Sequence, residues 1–404
     1  MMTVEDLSPE QLEALLTQTV KPTGAAAKRR KEFADRFAIQ TDEYDHLIRE
    51  RIYATHDLSE TQIDMCRWAV GFFNPQKRIV RRMAVAYKRR PRRRLDGANK
   101  TDNRMWSDLL RAIGFDAEAP EWQKFSIAMN RVVILAVPQV DEDGEPTIGF
   151  ELVTGAIAEV VREPGTPITA PPGILAYRLP AASEWGSSSD PKVPVCVTVD
   201  GRWWIWWNAQ HKMLRVVEHG LGMFPGADMR STRPAGDDWW DPSSGRGLTR
   251  TVAEVGMIAA AMGLTRKEMC RKFVAFITDT ETDEIPDGQT MTHPWKPMVA
   301  SGAGLKVIIE DLDQAIDNFL KHIKALQDEA AELVTGAVST LVDPDPAVGE
   351  TAGAAGVTQH AAIEEVREAQ SQLGREQAGA VSQLLEQAVA DGSIFAQKFR
   401  GASE

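Results

Sequence analysis

The densest group of side chains with a possible chemical role lies between Lys77 and Arg94, where eighteen residues include ten bases and no acid. Cations at this density can neutralise several phosphates and bind nucleic acid in a salt-dependent, sequence-independent way. Alternatively, they solvate the polar side of an amphipathic helix or pair with acids of a neighbouring subunit. We expect contact with nucleic acid or an acidic partner, and the candidate residues are Arg78, Arg81, Arg82, Lys88, Arg89, Arg90, Arg92, Arg93 and Arg94.

Sequence motifs for catalysis, nucleotide binding and metal binding are missing from the chain. It has no GxxxxGK[ST] phosphate loop, no GxGxxG after a strand, no HExxH and no GxSxG elbow. The seven histidines are scattered without metal-ligand spacing, and the three cysteines form no CxxC pair. We therefore expect a protein that is not an enzyme and that needs neither a cofactor nor a metal ion.

The charge of the chain is unevenly distributed. Its formal net charge is -12, but residues 301–404 hold seventeen acids and seven bases, which leaves only -2 for the first 300 residues. Segregated charge of this kind favours separate electrostatic surfaces over uniform coating of nucleic acid. The N-terminus lacks the apolar run of a signal peptide, and the longest apolar stretch is too short to span a bilayer. We expect a soluble protein made inside the cell.

Capping signals predict a helical first third. Ser8-Pro9-Glu10-Gln11 combines an N-cap, a proline in the first turn and a reciprocal glutamine. A helix after Ser59 should end at Asn74-Pro75, and the next should run from about Gln76 to Arg90. The apolar face of that helix consists of Ile79, Val80, Met83 and Tyr87. Shorter helices should end near Gly114 and cover about 120–130.

The middle third has the period of two that is typical of strands, and it predicts a β-rich layer over residues 132–225. Asp200-Gly201 should close a hairpin, because Asp-Gly favours the turn geometry that matches strand twist. Residues 226–247 are predicted to be a long exposed loop in which Trp239 and Trp240 meet a partner. Burial on both faces of a strand, or a subunit interface, is expected for Trp203, Trp204, Trp206 and Trp207.

The last third returns to helix. A helix rich in small residues begins near Thr249, and an acidic segment at 278–289 interrupts the pattern. A sustained heptad seam follows, made of Ile309, Leu312, Ile316, Phe319, Ile323, Leu326, Ala330 and Leu333. The acids beside this seam must face solvent, a neighbour or a cavity; they are Glu310, Asp311, Asp313, Asp317, Asp328 and Glu329. If copies of the helix lined a pore, these acids would repel a polyanion and keep it from adhering.

The order of these features resembles the portal (head-to-tail connector) proteins of tailed bacteriophages. Residues 74–95, NPQKRIVRRMAVAYKRRPRRRL, resemble the portal pattern of Asn, Arg-Ile-Val, a small-apolar helix, Tyr and a proline. Residues 217–230, VEHGLGMFPGADMR, are similar to the strand-to-loop passage that precedes the first stem helix in that family. The chain departs from the family at Thr358-Gln359-His360-Ala361, which stands where related portals often have a Ser-Gly-x-Ala type of sequence.

The resemblance implies a portal-type fold of the α+β class that is mainly α. Its parts would be a wing at 1–248, a first stem helix at 249–275, a clip at 276–306, a second stem helix at 307–334, a tunnel loop at 335–357 and a C-terminal wing helix with a minimal crown at 358–404. The second stem helix would line the channel through Glu310, Asp313, Asp317, Lys321 and Lys324. The tunnel loop would contribute Asp343, Asp345 and Glu350.

The resemblance also implies an assembly and a set of partners. The chain would form a homo-oligomeric ring of about twelve copies at one capsid vertex, assembled in the host cytoplasm and carried in the virion. Double-stranded DNA would pass through it during packaging and ejection. The protein partners would be the terminase large subunit, a head-tail adaptor, the major capsid protein and, in addition, scaffold. The alternatives are another virion structural or adaptor protein and a nucleic-acid-binding protein that uses the basic segment.

Overall fold

The computed structural model describes residues 2–55, 74–84, 100–140, 146–179, 192–231, 238–240, 246–269, 275–278, 298–301, 312–335 and 368. They form a mixed α and β fold, which confirms the α+β class. The helices are α1 (Pro9–Val20), α2 (Gly24–Thr41), α3 (Asp45–Thr55), α4 (Pro75–Met83), α5 (Lys100–Ala112), α6 (Phe115–Met129), α7 (Arg246–Met269) and α8 (Leu312–Thr335). The strands are β1 (Arg131–Val140), β2 (Pro146–Thr154), β3 (Ala158–Val161), β4 (Ile174–Arg178), β5 (Cys196–Val199), β6 (Trp203–Trp207), β7 (Met213–Glu218), β8 (Gly226–Arg230), β9 (Ala275–Thr278) and β10 (Met298–Ser301).

The N-terminal helix begins at the capping box that the sequence predicts. The Gln11 backbone N–H donates to the Ser8 hydroxyl at 3.2 Å, and the Ser8 N–H donates to the Gln11 side-chain oxygen at 2.9 Å. Two backbone donors at the helix start are thereby satisfied, as the motif requires. A short 3-10 turn at Val4–Asp6 precedes this helix.

A three-stranded antiparallel sheet has β1 at its centre, between β2 and β8. The assignment of residues 226–247 to an exposed loop is therefore wrong in part, because 226–230 pair with β1 and both Trp239 and Trp240 are buried. The sequence of β8, GADMR, contains Gly and Asp, which are depleted in strands. Strand propensity therefore does not predict this element. Its position is fixed by pairing with the buried strand β1.

A second, five-stranded antiparallel sheet has the order β3-β4-β5-β6-β7. One face contributes Val197 and Trp204 to a core that also contains Leu135 of the first sheet. The other face packs on α1, where Leu16 joins the cluster that contains Trp207. The tryptophans of β6 thus pack on both faces of the sheet, which confirms the first of the two predicted explanations.

The hairpin between β5 and β6 is confirmed, but its turn is built differently from the prediction. Gly201 does not adopt a positive φ, so the turn does not use the left-handed geometry that favours Asp-Gly. Instead, the Asp200 carboxylate accepts the backbone N–H groups of Arg202 and Trp203 at 2.7 and 2.6 Å. A side-chain acceptor therefore holds this turn.

Helices α2, α3, α7 and α8 form a separate helical layer with its own core. Val252 and Ala259 of α7, Ile48 of α3 and Ile323 of α8 are buried together. A Cβ on Gly256 would lie only 2.5 Å from Cδ1 of Ile48, so the glycine allows α3 and α7 to approach closely. This contact explains why the run of small residues in the helix begins with a glycine.

The ends of two predicted helices differ from expectation. Helix α4 ends at Met83, because Ala84 has a non-helical ψ of 80°, whereas the sequence predicted continuation to Arg90. Helix α7 ends at Met269 and the chain enters β9 at Ala275, within the predicted range of the helix. β9 pairs in parallel with β10, and neither strand was predicted.

Candidate functional site

The basic segment begins on a helix whose start is firmly anchored. Asn74 caps α4 by accepting the Lys77 backbone N–H at 2.9 Å. Its amide nitrogen donates to the carbonyl of Ile39 at 2.8 Å and to the Asp42 carboxylate at 3.0 Å. One buried side chain therefore fixes the start of α4 against the end of α2.

The first base of the segment is already committed to an ion pair. Lys77 pairs with Asp42, which sits at the C-cap of α2 with a positive φ of 66°. Gln76 adds a hydrogen bond from its amide nitrogen to the carbonyl of Arg36 at 3.3 Å. The first turn of α4 is thus bound to α2 through polar contacts.

The rest of α4 separates an apolar face from a basic one. Ile79, Val80 and Met83 are buried, as their spacing predicts, and the helix packs against α2, α6, α7 and α8. Arg81 is exposed and Arg78 is partly exposed. The described helix therefore exposes at least one arginine, Arg81, to solvent.

Helix α8 has two faces. Phe319, Ile323 and Leu326 belong to the core shared with α7, so the described part of the heptad seam is a packing stripe within the chain. Exposed residues of both charges occupy the other side; they are Asp317, Lys321, Lys324 and Glu329. Desolvation raises the pKa of Asp328 above its ordinary 3.8, and Lys324 opposes that rise. The described exposed face is thus of mixed charge rather than uniformly acidic.

Several predicted site residues lie outside the described residues. They include Glu310 of the stem and Asp343, Asp345 and Glu350 of the tunnel loop. Lys88, Arg89, Arg90, Arg92, Arg93 and Arg94 of the basic segment are outside them as well. Asp313 and Arg82 have described backbones in α8 and α4, but their side chains fall outside the description.

A buried arginine explains the two tryptophans that were expected at an interface. The Arg131 guanidinium forms a bidentate ion pair with Asp228 and donates to the carbonyls of Ile168 and Trp239. It also lies over the Trp239 ring, 3.4 Å from the centroid. The expectation that Trp239 and Trp240 meet a partner is wrong, because the core of the chain buries them.

A second polar cluster connects the N-terminus to the five-stranded sheet. The buried Asp200 carboxylate accepts the Val4 backbone N–H at 2.8 Å in addition to the turn donors. His219 donates from Nε2 to the Asp200 carbonyl at 3.0 Å and accepts the Leu221 N–H at Nδ1 at 3.2 Å. With one ring nitrogen donating and the other accepting, the imidazole is held neutral. Burial lowers the pKa of His219 below its ordinary 6.5.

Other buried titratable groups serve packing. Cys196 lies in β5, and burial raises the pKa of its thiol to about 12, so it stays protonated near neutral pH. Burial also raises the pKa of Glu151, which accepts the Tyr177 hydroxyl at 2.8 Å.

Among the described residues no cluster of three or more His, Cys, Asp or Glu side chains is arranged to hold a metal. None of the helices in this part of the chain has the length and apolar character needed to cross a membrane.

One surface feature was missed by sequence reasoning. Strand β7 is at the edge of its sheet and exposes Met213, Leu214 and Val216. In its sequence, MLRVVE, apolar and polar residues do not alternate regularly. The pattern therefore did not predict that side chains on both faces of β7 are exposed.

No family model matches this chain, and a search of curated proteins also finds no match.

Proposed function

We propose that this chain is a portal protein of a tailed bacteriophage, and that copies of it form a ring of about twelve subunits around a DNA channel. The ring occupies one capsid vertex of the virion, after assembly in the host cytoplasm. It admits double-stranded DNA during packaging and releases it during ejection. The chain itself performs no catalysis, and a separate terminase hydrolyses ATP.

The observation that carries the proposal is the pairing of α7 with α8. Each helix has 24 residues, which corresponds to a length of about 36 Å. They pack together through Val255, Ile258 and Ile323, and the sequence between them holds the strand pair β9 and β10. Two long paired helices with a short strand pair between them in the sequence support the order of stem, clip and stem that the resemblance implies.

The exposed side of α8 supports a conduit for a polyanion. Lys321 and Lys324 on this side are balanced by Asp317 and Glu329. A wall with nearly balanced charge binds DNA weakly, since affinity depends on the number of phosphates that cations neutralise. In the proposed ring the exposed side of α8 and the acids of the tunnel loop face the channel. The wing contacts the terminase, adaptor and capsid partners.

The mass of the purified protein tests the proposal. Sedimentation velocity on the full chain should show a discrete species of about twelve subunits at high protein concentration. Substitution of Phe319 by Asp, which removes a packing contact between α8 and α7, should abolish that species. The matched substitution Leu320→Asp, on the exposed side of the same helix, should spare the fold.

Nucleic-acid binding by the basic segment is the second candidate. It is favoured by Arg81, which α4 exposes while Lys77 is held by Asp42. This function requires tight binding of duplex DNA by the monomer, with an affinity that falls steeply with salt. Replacement of Arg89, Arg90, Arg92, Arg93 and Arg94 by Gln should then abolish binding, whereas Lys77→Gln should change it little. Salt-insensitive or undetectable binding by the monomer would exclude this candidate.

A further inference from the structure

Strand β7 is an open edge of the five-stranded sheet in the described part of the chain. It pairs with β6 on one side only, and Met213, Leu214 and Val216 are 49%, 36% and 42% exposed. The opposite edge strand, β3, is different, because its Glu159 pairs with two arginines of α2 and α1 packs beside it. The two edges of one sheet are therefore unequal.

The backbone of β7 has groups directed away from the sheet. The backbone N–H of His219 donates to the carbonyl of Arg202 at 3.1 Å. This bond shows which residue pairs between β6 and β7 are hydrogen-bonded through their backbones. Paired and outward residues alternate along an antiparallel ladder. Val217 therefore pairs with Trp204 through its backbone, whereas the N–H and C=O of Val216 point outward. Such unpaired groups are a template for an added strand.

The side chains on the two faces of β7 differ in character. Met213 pairs with Trp207 and Val216 with Ile205, so both lie on the face that includes the α1 cluster. Arg215 pairs with Trp206 on the other face, with its guanidinium 4.9 Å from that ring. Lys212, which is exposed, directly precedes the first residue of the strand. The exposed side chains of Met213 and Val216 are therefore apolar on one face, whereas the exposed side chain of Arg215 on the other face is a cation.

The net exposed charge at this edge is positive. Glu218 is paired with Arg202 at 2.8 Å, which leaves Lys212 and Arg215 as the cations that a new strand would meet. Cations and bulges on an edge commonly discourage indiscriminate pairing. Here the register shift lies at Trp206/Trp207, so it leaves the pairs from Arg215 to Glu218 regular. The cations then act as a selectivity device, since they repel basic strands and attract acidic ones.

We propose that β7 binds an extended segment of a partner protein whose apolar and acidic residues alternate, and that this segment adds to the sheet as a sixth strand. Its apolar side chains cover Met213 and Val216, and its carboxylates meet Lys212 and Arg215. Main-chain hydrogen bonds supply affinity and the alternating side chains supply specificity, as in other cases of strand addition. The proposal goes beyond the ring and DNA channel and does not depend on them.

A synthetic peptide provides the probe. A capped, fluorescein-labelled peptide of sequence TVEVEVEVT should bind the full chain saturably in an anisotropy titration. A peptide with the same composition but blocked order, TVVVVEEET, should bind much more weakly, because its acids and apolar residues cannot separate onto two faces. Arg215→Glu should weaken binding of the alternating peptide by about tenfold and should allow binding of TVKVKVKVT.

Two further variants distinguish peptide binding at the β7 edge from nonspecific binding. Val216→Lys places a charge on the apolar face and should also weaken binding by about tenfold. Leu320→Lys alters a residue of similar exposure, 44%, on α8 and should leave binding unchanged. Thermal unfolding of each variant verifies that the fold is intact.

The proposal is overturned by any of three results. One is no saturable binding up to about 1 mM peptide. Another is equal binding of the alternating and blocked peptides, or equal binding by the wild type, Arg215→Glu and Val216→Lys. The third is self-association that Val216→Lys abolishes, which would make a second copy the occupant of the edge. Ring formation that persists in Val216→Lys has no bearing on the outcome.

Discussion

The guanidinium of Arg131 and the carboxylate of Asp228 form a buried bidentate pair, with Nε–Oδ1 and Nη2–Oδ2 distances of 2.7 Å. The two residues come from adjacent strands, β1 and β8. Because the same guanidinium stacks on Trp239, the pair also holds segment 238–240 on the sheet. A single arginine thus connects three parts of the chain.

Removal of the carboxylate should be costly. Asp228→Ala leaves the Arg131 charge buried with its main counter-ion gone, and loss of one partner of a buried pair costs about 3–5 kcal/mol. Urea unfolding should show that decrease in the free energy of unfolding. The exposed pair Arg202–Glu218 is the control, and Glu218→Ala should cost less than about 1 kcal/mol. Similar losses for the two variants would contradict a structural role for the Arg131 pair.

Stability should depend on the protonation of His219. Burial lowers its pKa from the ordinary 6.5, so the unfolded chain takes up this proton first as the pH falls. The free energy of unfolding should therefore be fully retained above about pH 6.5 and decrease as the pH falls from there toward the folded pKa. Urea titrations at several pH values measure this slope.

The slope can be assigned with two variants. His219→Gln removes the titrating ring and should flatten the pH dependence, although it also lowers stability by removing a buried hydrogen bond. His322→Gln, on the exposed side of α8, should preserve the slope. If His219→Gln and the wild type have the same slope below pH 6.5, the buried neutral imidazole is not its source.

The close approach of α3 and α7 should be sensitive to one methyl group. Gly256→Ala places a Cβ at 2.5 Å from Cδ1 and 2.6 Å from Cγ1 of Ile48. Overpacking of this kind costs about 1–3 kcal/mol, which exceeds the gain of about 1 kcal/mol in helix propensity. A double-mutant cycle with Ile48→Ala should recover part of the loss. Additive effects would show that the two residues do not meet.

Asn74, the N-cap of α4, should stabilise the fold through two separate hydrogen bonds. Asn74→Ala removes the acceptor for the Lys77 N–H and the donor to the Ile39 carbonyl. Asn74→Asp keeps the acceptor, loses the donor and adds a negative charge beside Asp42. We expect a larger loss for Asn74→Ala than the typical cap cost of about 1 kcal/mol. Helix content and urea midpoints of both variants measure this, and a loss for Asn74→Ala no greater than for Ser8→Ala would contradict the second bond.

Local signals predicted the elements that depend on local chemistry. The capping box at Ser8, the hairpin at Asp200 and the burial of Ile79, Val80 and Met83 on α4 are set by residues close in sequence, and all are confirmed. The fourth residue of that predicted face, Tyr87, lies outside the described residues. The helix near Gly114 ends there because that glycine has a positive φ of 68°. In these cases the residues that determine each element lie within a few positions of one another, although the Asp200 turn uses a side-chain acceptor rather than the predicted backbone geometry.

The predictions that were wrong or missing concern contacts between residues that are distant in sequence. β8 is a strand because β1 offers an edge to it, and Trp239 is buried because Arg131, over a hundred residues earlier, lies beneath its ring. No pattern inside residues 226–247 encodes either relationship. The open edge at β7 was missed for the same reason, since exposure depends on which strand follows it in the sheet.

The predictions of the candidate site divide according to the same physical distinction. The apolar seam of α8 placed Phe319 and Ile323 on the packing side, and this left Asp317, Lys321 and Lys324 exposed. The sequence indicated the basic character of α4, but it gave no sign that Asp42 holds Lys77. That pair depends on the end of α2 meeting the start of α4.

Electron microscopy of the purified full-length chain tests the proposed function most directly. Class averages should show rings of about twelve subunits with a central channel wide enough for a DNA duplex. A uniform population of compact monomers, with no ring at any protein or salt concentration, would contradict the proposal that this chain is a portal.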